Sequence, residues 1–197
     1  MPCYRFEDMV PVVDPTSFVH PTASLIGDVQ IGPRCYIGPG ASLRGDFGRI
    51  VIIGESSVQD NCTLHTSSIS DIEVGFGSTV GHGAVLHGCK LEEHVLIGMK
   101  SVVLDGAVIG SESLVAAMSL VKNDQVFAAR SLIAGNPAKL IKTMTAEAIL
   151  WRNGGKGGYV ELAERSLAGL EACTPLPQAE PDRQRNRSTA RAVRLKT

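Results

Sequence analysis

The chain has 197 residues, 44% hydrophobic and only 5% aromatic, and a formal net charge of −1. That length suits one domain with a sizeable core, and the near-neutral balance argues against nucleic acid as the main partner. No run approaches the ~18 apolar residues that span a bilayer, and the opening MPCYRFEDMV lacks a signal peptide's basic start and apolar stretch, so the expected setting is cytoplasmic, with no membrane partner.

The first segment, residues 1–18, reads as a lead-in in which Pro2, Pro11 and Pro15 break regular structure. Residues 19–137 carry a six-residue beat of apolar side chains. It is plainest in Val19, Leu25, Ile31, Ile37 and Leu43, and again in Leu91, Ile97, Val103, Ile109, Val115 and Val121. Small residues follow four positions later, among them Ala23, Cys35, Ala41, Ser101 and Ala107. A fixed internal period marks a solenoid, whose repeats bury their apolar faces only against their neighbours. Helices and ordinary sheets have side-chain periods of 3.6 and 2, so neither gives a six-residue beat. Three short straight runs per turn do, each with one large residue inward and a small one at the corner. The predicted fold is mainly β, a left-handed parallel β-helix, followed by a C-terminal α-helical segment.

Residues 138–173 form that segment, with helical character over 145–172 from Thr145 and Glu147 through Ile149, Leu150, Leu162, Leu167 and Leu170. Gly154, Gly155, Gly157 and Gly158 split it into two short helices. Residues 174–197 turn polar and basic, with Arg183, Arg185, Arg187, Arg191, Arg194 and Lys196 against Glu180 and Asp182, and read as a solubilising tail. The five cysteines are odd in number and irregularly spaced, which fits buried thiols rather than a disulfide framework. Cys89 is singled out because it lies two residues from His87.

The beat breaks at three places: nine residues from Leu43 to Ile52, ten from Leu64 to Val74 and five from Leu86 to Leu91. Extra residues in a solenoid are expected to leave as loops on one face, often the binding face. Arg44, Asp46, Gln59, Asp60, His65, His82 and His87 lie between and beside these breaks. His65 and His87 are the second residues of hexads one full turn apart, so both should point outward from one wall, on strands about 4.8 Å apart. Two imidazoles so placed can share an ion at about 2.0–2.1 Å. His82 falls on the adjacent wall, at most about 16 Å of extended chain from His87 with a corner between. It should not reach its own subunit's ion but can complete a neighbour's, which implies a homotrimer with metal sites between subunits. The expected ion is zinc, with iron or cobalt possible at the same nitrogens. Zinc lowers the pKa of a bound water towards ~7, giving a nucleophile for carbon dioxide or a thioester carbonyl.

On Leu43-Arg44-Gly45-Asp46, Val58-Gln59-Asp60-Asn61, Leu64-His65, Gly81-His82, Leu86-His87-Gly88-Cys89 and Gly135-Asn136-Pro137-Ala138-Lys139, the chain resembles the gamma-class carbonic anhydrase branch of the hexapeptide-repeat superfamily. The resemblance covers about residues 10–170. It implies that His65, His82 and His87 hold the metal and that Gln59 hydrogen-bonds its water. Arg44, Asp46 and Asp60 would form a polar network joining subunits, and Tyr159 would approach the metal. Within the branch the chain is most similar to thioesterases of bacterial phenylacetate catabolism, which implies an acyl-CoA substrate. Carbon dioxide hydration is the alternative, set back by Ser57 where the archetype has asparagine and by the absence of its acidic loop. A second alternative is a non-catalytic accessory role, as in the branch members of carnitine metabolism.

Overall fold

The computed structural model describes residues 3–149 and 158–184. The six-residue beat becomes three walls of a left-handed parallel β-helix of about seven turns. Leu25, Leu43, Leu64, Leu86, Val103 and Val121 stand in register on the first wall. Ile31, Ile52, Val74, Leu91, Ile109 and Phe127 stack on the second. Val19, Ile37, Val58, Val80, Ile97, Val115 and Ile133 stack on the third. Each column is one side chain deep, so a Val, Ile or Leu per hexad fills the interior and rings are not needed. The small corner residues have a second use where they are serines. The buried Ser56 hydroxyl shares its proton between the carbonyls of Gly54 and Gly75 and accepts from the Ser78 amide, tying one turn to the next.

The breaks in the beat do not all become loops. The strands Ser24–Ile31 and Ser42–Ile52 run straight from the first wall into the second. The extra residues leave as a bulge over 46–49, where the register jumps from Gly27↔Gly45 to Val29↔Ile50. Residues 66–71 depart at the same corner one turn on, closed by a Ser67↔Ser70 bridge. All three irregularities thus gather on one edge, between the first wall and the second.

The lead-in is not wholly irregular, since Cys3–Tyr4 and Val12–Val13 pair with Ser24–Ile31. The segment expected to be helical from residue 138 opens instead with the strand Ala138–Thr143, antiparallel to Ser131–Gly135. Gly135, at φ +109, reverses the chain there, and backbone pairing with the last coil favours strand over helix. A 3₁₀ turn at Ala146–Ala148 follows, and the α-helix is confined to Tyr159–Gly169. Met144 and Ile149 cover Leu96, Leu114 and Leu132, while Tyr159, Leu162 and Ala163 cover Phe18 and Tyr36. This C-terminal cover dresses the outer face of the third wall. Gly154, Gly155 and Gly157, and the tail residues Arg185 to Lys196, lie outside the described residues.

Cys35, Cys62 and Cys89 are buried, and burial pushes their thiols up to about 11, 11 and 12. Cys89 is therefore a core side chain, not a reactive partner of His87. Titration of the native protein with a disulfide reagent near pH 8 is expected to count two of the five thiols, Cys3 and Cys173. All five should react in denaturant, and a fast third equivalent in the native protein would contradict the buried corner positions.

Candidate functional site

His65 and His87 face each other on the outer surface of the first wall, in direct register and with Arg44 one turn below. Their ring nitrogens, His65 Nδ1 and His87 Nε2, are 3.1 Å apart. The opposite nitrogen of each ring is held by a carboxylate. His65 Nε2 donates to Asp46 Oδ1 at 3.0 Å and His87 Nδ1 donates to Asp105 Oδ2 at 2.8 Å. Both carboxylates are kept ionised. Partial burial raises the Asp46 pKa, but hydrogen bonds from Arg44 and His65 more than offset it; for Asp105, Ser70, Ser67 and His87 do the same.

An ionised carboxylate only accepts, so the protons of the neutral rings sit on His65 Nε2 and His87 Nδ1. Two lone pairs are then left facing across 3.1 Å. That arrangement repels unless a shared proton or a metal cation stands between the two nitrogens, and paired imidazoles oriented by carboxylates are an established metal-ligand design. Two nitrogens bound at about 2.0–2.1 Å to one ion lie roughly this far apart. The donor set therefore fits a divalent metal.

The other expected residues form a separate group at the corner that leads into the first wall. His82 Nδ1 donates to Asp60 Oδ2 at 2.6 Å, and its Nε2 faces the Tyr159 hydroxyl at 3.5 Å. Gln59 is buried, and its side-chain oxygen accepts from the His82 backbone amide at 3.2 Å. Tyr159 packs on Tyr36 with the rings tilted at 47°, and burial pushes its phenol up to about 12, with Asp60 adding to the shift, so it stays protonated. Ser57, at the position of the archetype's asparagine, turns its hydroxyl to Thr79 at 3.3 Å. The eight expected residues thus divide into two groups: Arg44, Asp46, His65 and His87 at one edge of the wall, and Gln59, Asp60, His82 and Tyr159 at the other. Among the described residues, no group of three or more His, Cys, Asp or Glu side chains is gathered for a metal within one chain.

Sequence reasoning missed Asp105. The period does not point to it, since Leu86 pairs with Val103 and Leu104 is therefore level with His87, while Asp105 stands one residue further on, at the corner. It is positioned by a hydrogen-bonded chain in which Ser70 Oγ donates to Asp105 Oδ1 at 2.8 Å and Ser67 Oγ lies 2.6 Å from Ser70 Oγ.

No family model matches the chain. Among curated proteins it is 46% identical over 189 residues to the carnitine operon protein CaiE of Salmonella agona, covering 96% of each chain. Among solved structures it is similar to a Bacillus cereus protein with a provisional acetyltransferase assignment, at TM-score 0.82 and 32% identity over 84% of this chain and 96% of that one. A hexapeptide transferase family protein from Anaplasma phagocytophilum gives TM-score 0.78 and 36% identity, over 82% of this chain and 96% of that one. These three carry no thioesterase or phenylacetate assignment, so the comparisons support the carnitine-related alternative over the phenylacetate reading. No helix among the described residues is long and apolar enough to cross a membrane.

Proposed function

The chain belongs to the CaiE family of hexapeptide-repeat proteins, and on that premise we propose that it serves carnitine-linked metabolism as an accessory protein built around a metal centre shared between subunits. Similarity along almost the whole of both chains supports the metabolic setting. The observation that carries the shared centre is the division of the site into two half-sites, each with imidazole nitrogens left unprotonated by a carboxylate. His65 through Nδ1 and His87 through Nε2 would hold a divalent ion, zinc first and iron or cobalt as substitutes. His82 of a neighbouring copy in a homotrimer would add the third nitrogen. When bound, such an ion supplies Lewis acidity and an acidified water.

The chain's own groups have definite parts in this. Asp46 and Asp105 fix the tautomers of the paired rings, and Arg44 holds Asp46. Gln59 fixes the backbone of His82, and Asp60 fixes its ring. Tyr159 keeps its proton beside His82 and can donate to an oxyanion that develops on a bound acyl group. That last feature favours a second reading, a metal-dependent thioesterase acting on acyl-CoA, the phenylacetate-type thioesters included.

Two assays test the readings. Extracts of cells lacking the chain should convert carnitine more slowly, and the metal-loaded protein should restore the rate while its His65→Ala variant does not. An unchanged rate without the chain would sink the carnitine-linked role. Thiol release from a panel of acyl-CoA thioesters by the zinc-loaded protein, lost in His65→Ala, would establish the thioesterase instead.

A further inference from the structure

Beside the paired histidines lies a cavity of about 400 Å³ lined by Phe6, Glu7, Met9, Asp28, Gly45, Asp46, Phe47, Gly48, Arg49 and Asp71. One side is the tight hairpin closed by mutual backbone hydrogen bonds between Phe6 and Met9. The other is the bulge over 46–49, pinned where the Arg49 amide donates to Asp71 Oδ1 at 2.7 Å. The lining joins two kinds of group rarely left together at a surface. Phe6, Met9 and Phe47 are apolar and 41%, 50% and 64% exposed. Four carboxylates stand with them; Arg49 pairs with Asp28 at 2.8 Å and Arg44 pairs with Asp46, which leaves an acidic excess at Glu7 and Asp71.

We propose that this cavity binds the quaternary ammonium group of a small organic cation, placing the rest of that molecule beside His65. Aromatic faces combined with negative charge are the means by which proteins hold alkylated ammonium, which has no N–H to donate and a large apolar shell. A bare metal ion would not use the phenyl and thioether walls, and an apolar ligand would not use the carboxylates. The volume lies within the range of small-ligand sites. The cavity also adjoins the metal half-site through two of its lining residues. Asp46 lines it and holds His65, and Phe47 lines it and meets the His65 ring edge-on at 5.8 Å between centroids. A cation seated there would therefore present its acyl end to the paired histidines. This deepens the carnitine-linked reading and rests on it for the identity of the acyl end.

Calorimetric titration of the metal-loaded protein with tetramethylammonium, choline and carnitine tests the proposal, with 3,3-dimethylbutanol as the uncharged shape of choline. Saturable binding of all three cations is expected, with the neutral alcohol weaker by about tenfold. Phe47→Leu keeps bulk and removes the aromatic face, while Asp71→Asn keeps the acceptor for the Arg49 amide and removes the charge. Each should weaken the cations by about three- to tenfold without changing the circular dichroism. No saturable binding, or equal binding of the neutral alcohol, would overturn the cavity as a cation site. Cation binding that persists while cellular carnitine conversion proves independent of the chain upholds the cavity and removes only the metabolic role. Dependence of conversion on the chain without saturable binding overturns the cavity and leaves that role standing.

Discussion

The His87→Ala protein is expected to bind zinc at least about 100-fold more weakly than the unsubstituted chain, in competition with a chromophoric chelator. The bound is conservative, because loss of a mere supporting partner already costs about 10–100-fold in metal affinity. Among the described residues His87 Nε2 converges with one other imidazole nitrogen, His65 Nδ1, at 3.1 Å. Its removal leaves a single imidazole, and it also leaves the ionised Asp105 without the ring it orients. His82→Ala should be comparably weak, although that residue touches neither His65 nor His87 in its own chain, if the ion is shared between subunits. Mixing the two variants supplies the decisive comparison. A site is complete only where an intact His65/His87 pair meets an intact neighbouring His82, which random assembly provides in about one site in four. Recovery near that fraction in verified mixed trimers supports the shared centre, and no recovery counts against it.

Gly88→Ala is expected to lower both stability and metal affinity although it removes no ligand. Gly88 sits at φ +52, and an added Cβ would stand 2.0 Å from Ser70 Oγ and 2.4 Å from Asp105 Oδ1. The left-handed backbone alone costs an L-residue on the order of 1 kcal/mol, and clearing the contact means breaking the Ser70–Asp105 hydrogen bond. A total of about 2–3 kcal/mol corresponds to a fall of about 5–10 °C in Tm for a chain of this size. Displacement of Asp105 frees the His87 ring, so zinc affinity should fall by about 10–100-fold as well. Ser70→Ala separates the two effects. It removes one support of Asp105 without straining the backbone, so affinity should fall while Tm scarcely moves. Unchanged zinc binding in Gly88→Ala would show that Asp105 does not position His87.

The coil itself was legible because its interior is one residue wide. Ile97 and Val103 are neighbours in the beat and occupy equivalent inward places on consecutive walls, so counting by six was enough. The site was legible for a related reason, since Arg44, His65 and His87 are one column of one wall. What escaped had no period to reveal it. The bulge over 46–49 looks like a loop in sequence, because a strand that crosses a corner without breaking has the same composition as one that stops. Ala138–Thr143 falls in a segment named for the helix further on, and Leu140, Ile141 and the flanking lysines suit either element. Only contact with Ser131–Gly135 decides between them. Asp105 escaped because the histidine column continues to Leu104, and the carboxylate reaches His87 from the corner one place beyond it.

The reversed strand Ala138–Thr143 has a consequence for how the molecule ends. Every earlier coil offers the next a ledge of the same polarity, so a bare last coil would invite another copy to continue the stack into a fibre. On the third wall that ledge is already taken by a strand running the opposite way. A copy arriving with its first coil in parallel orientation meets an edge whose hydrogen-bonding sequence does not match its own. One six-residue segment thus acts as a terminator on this wall, opposing growth of the solenoid beyond a single chain.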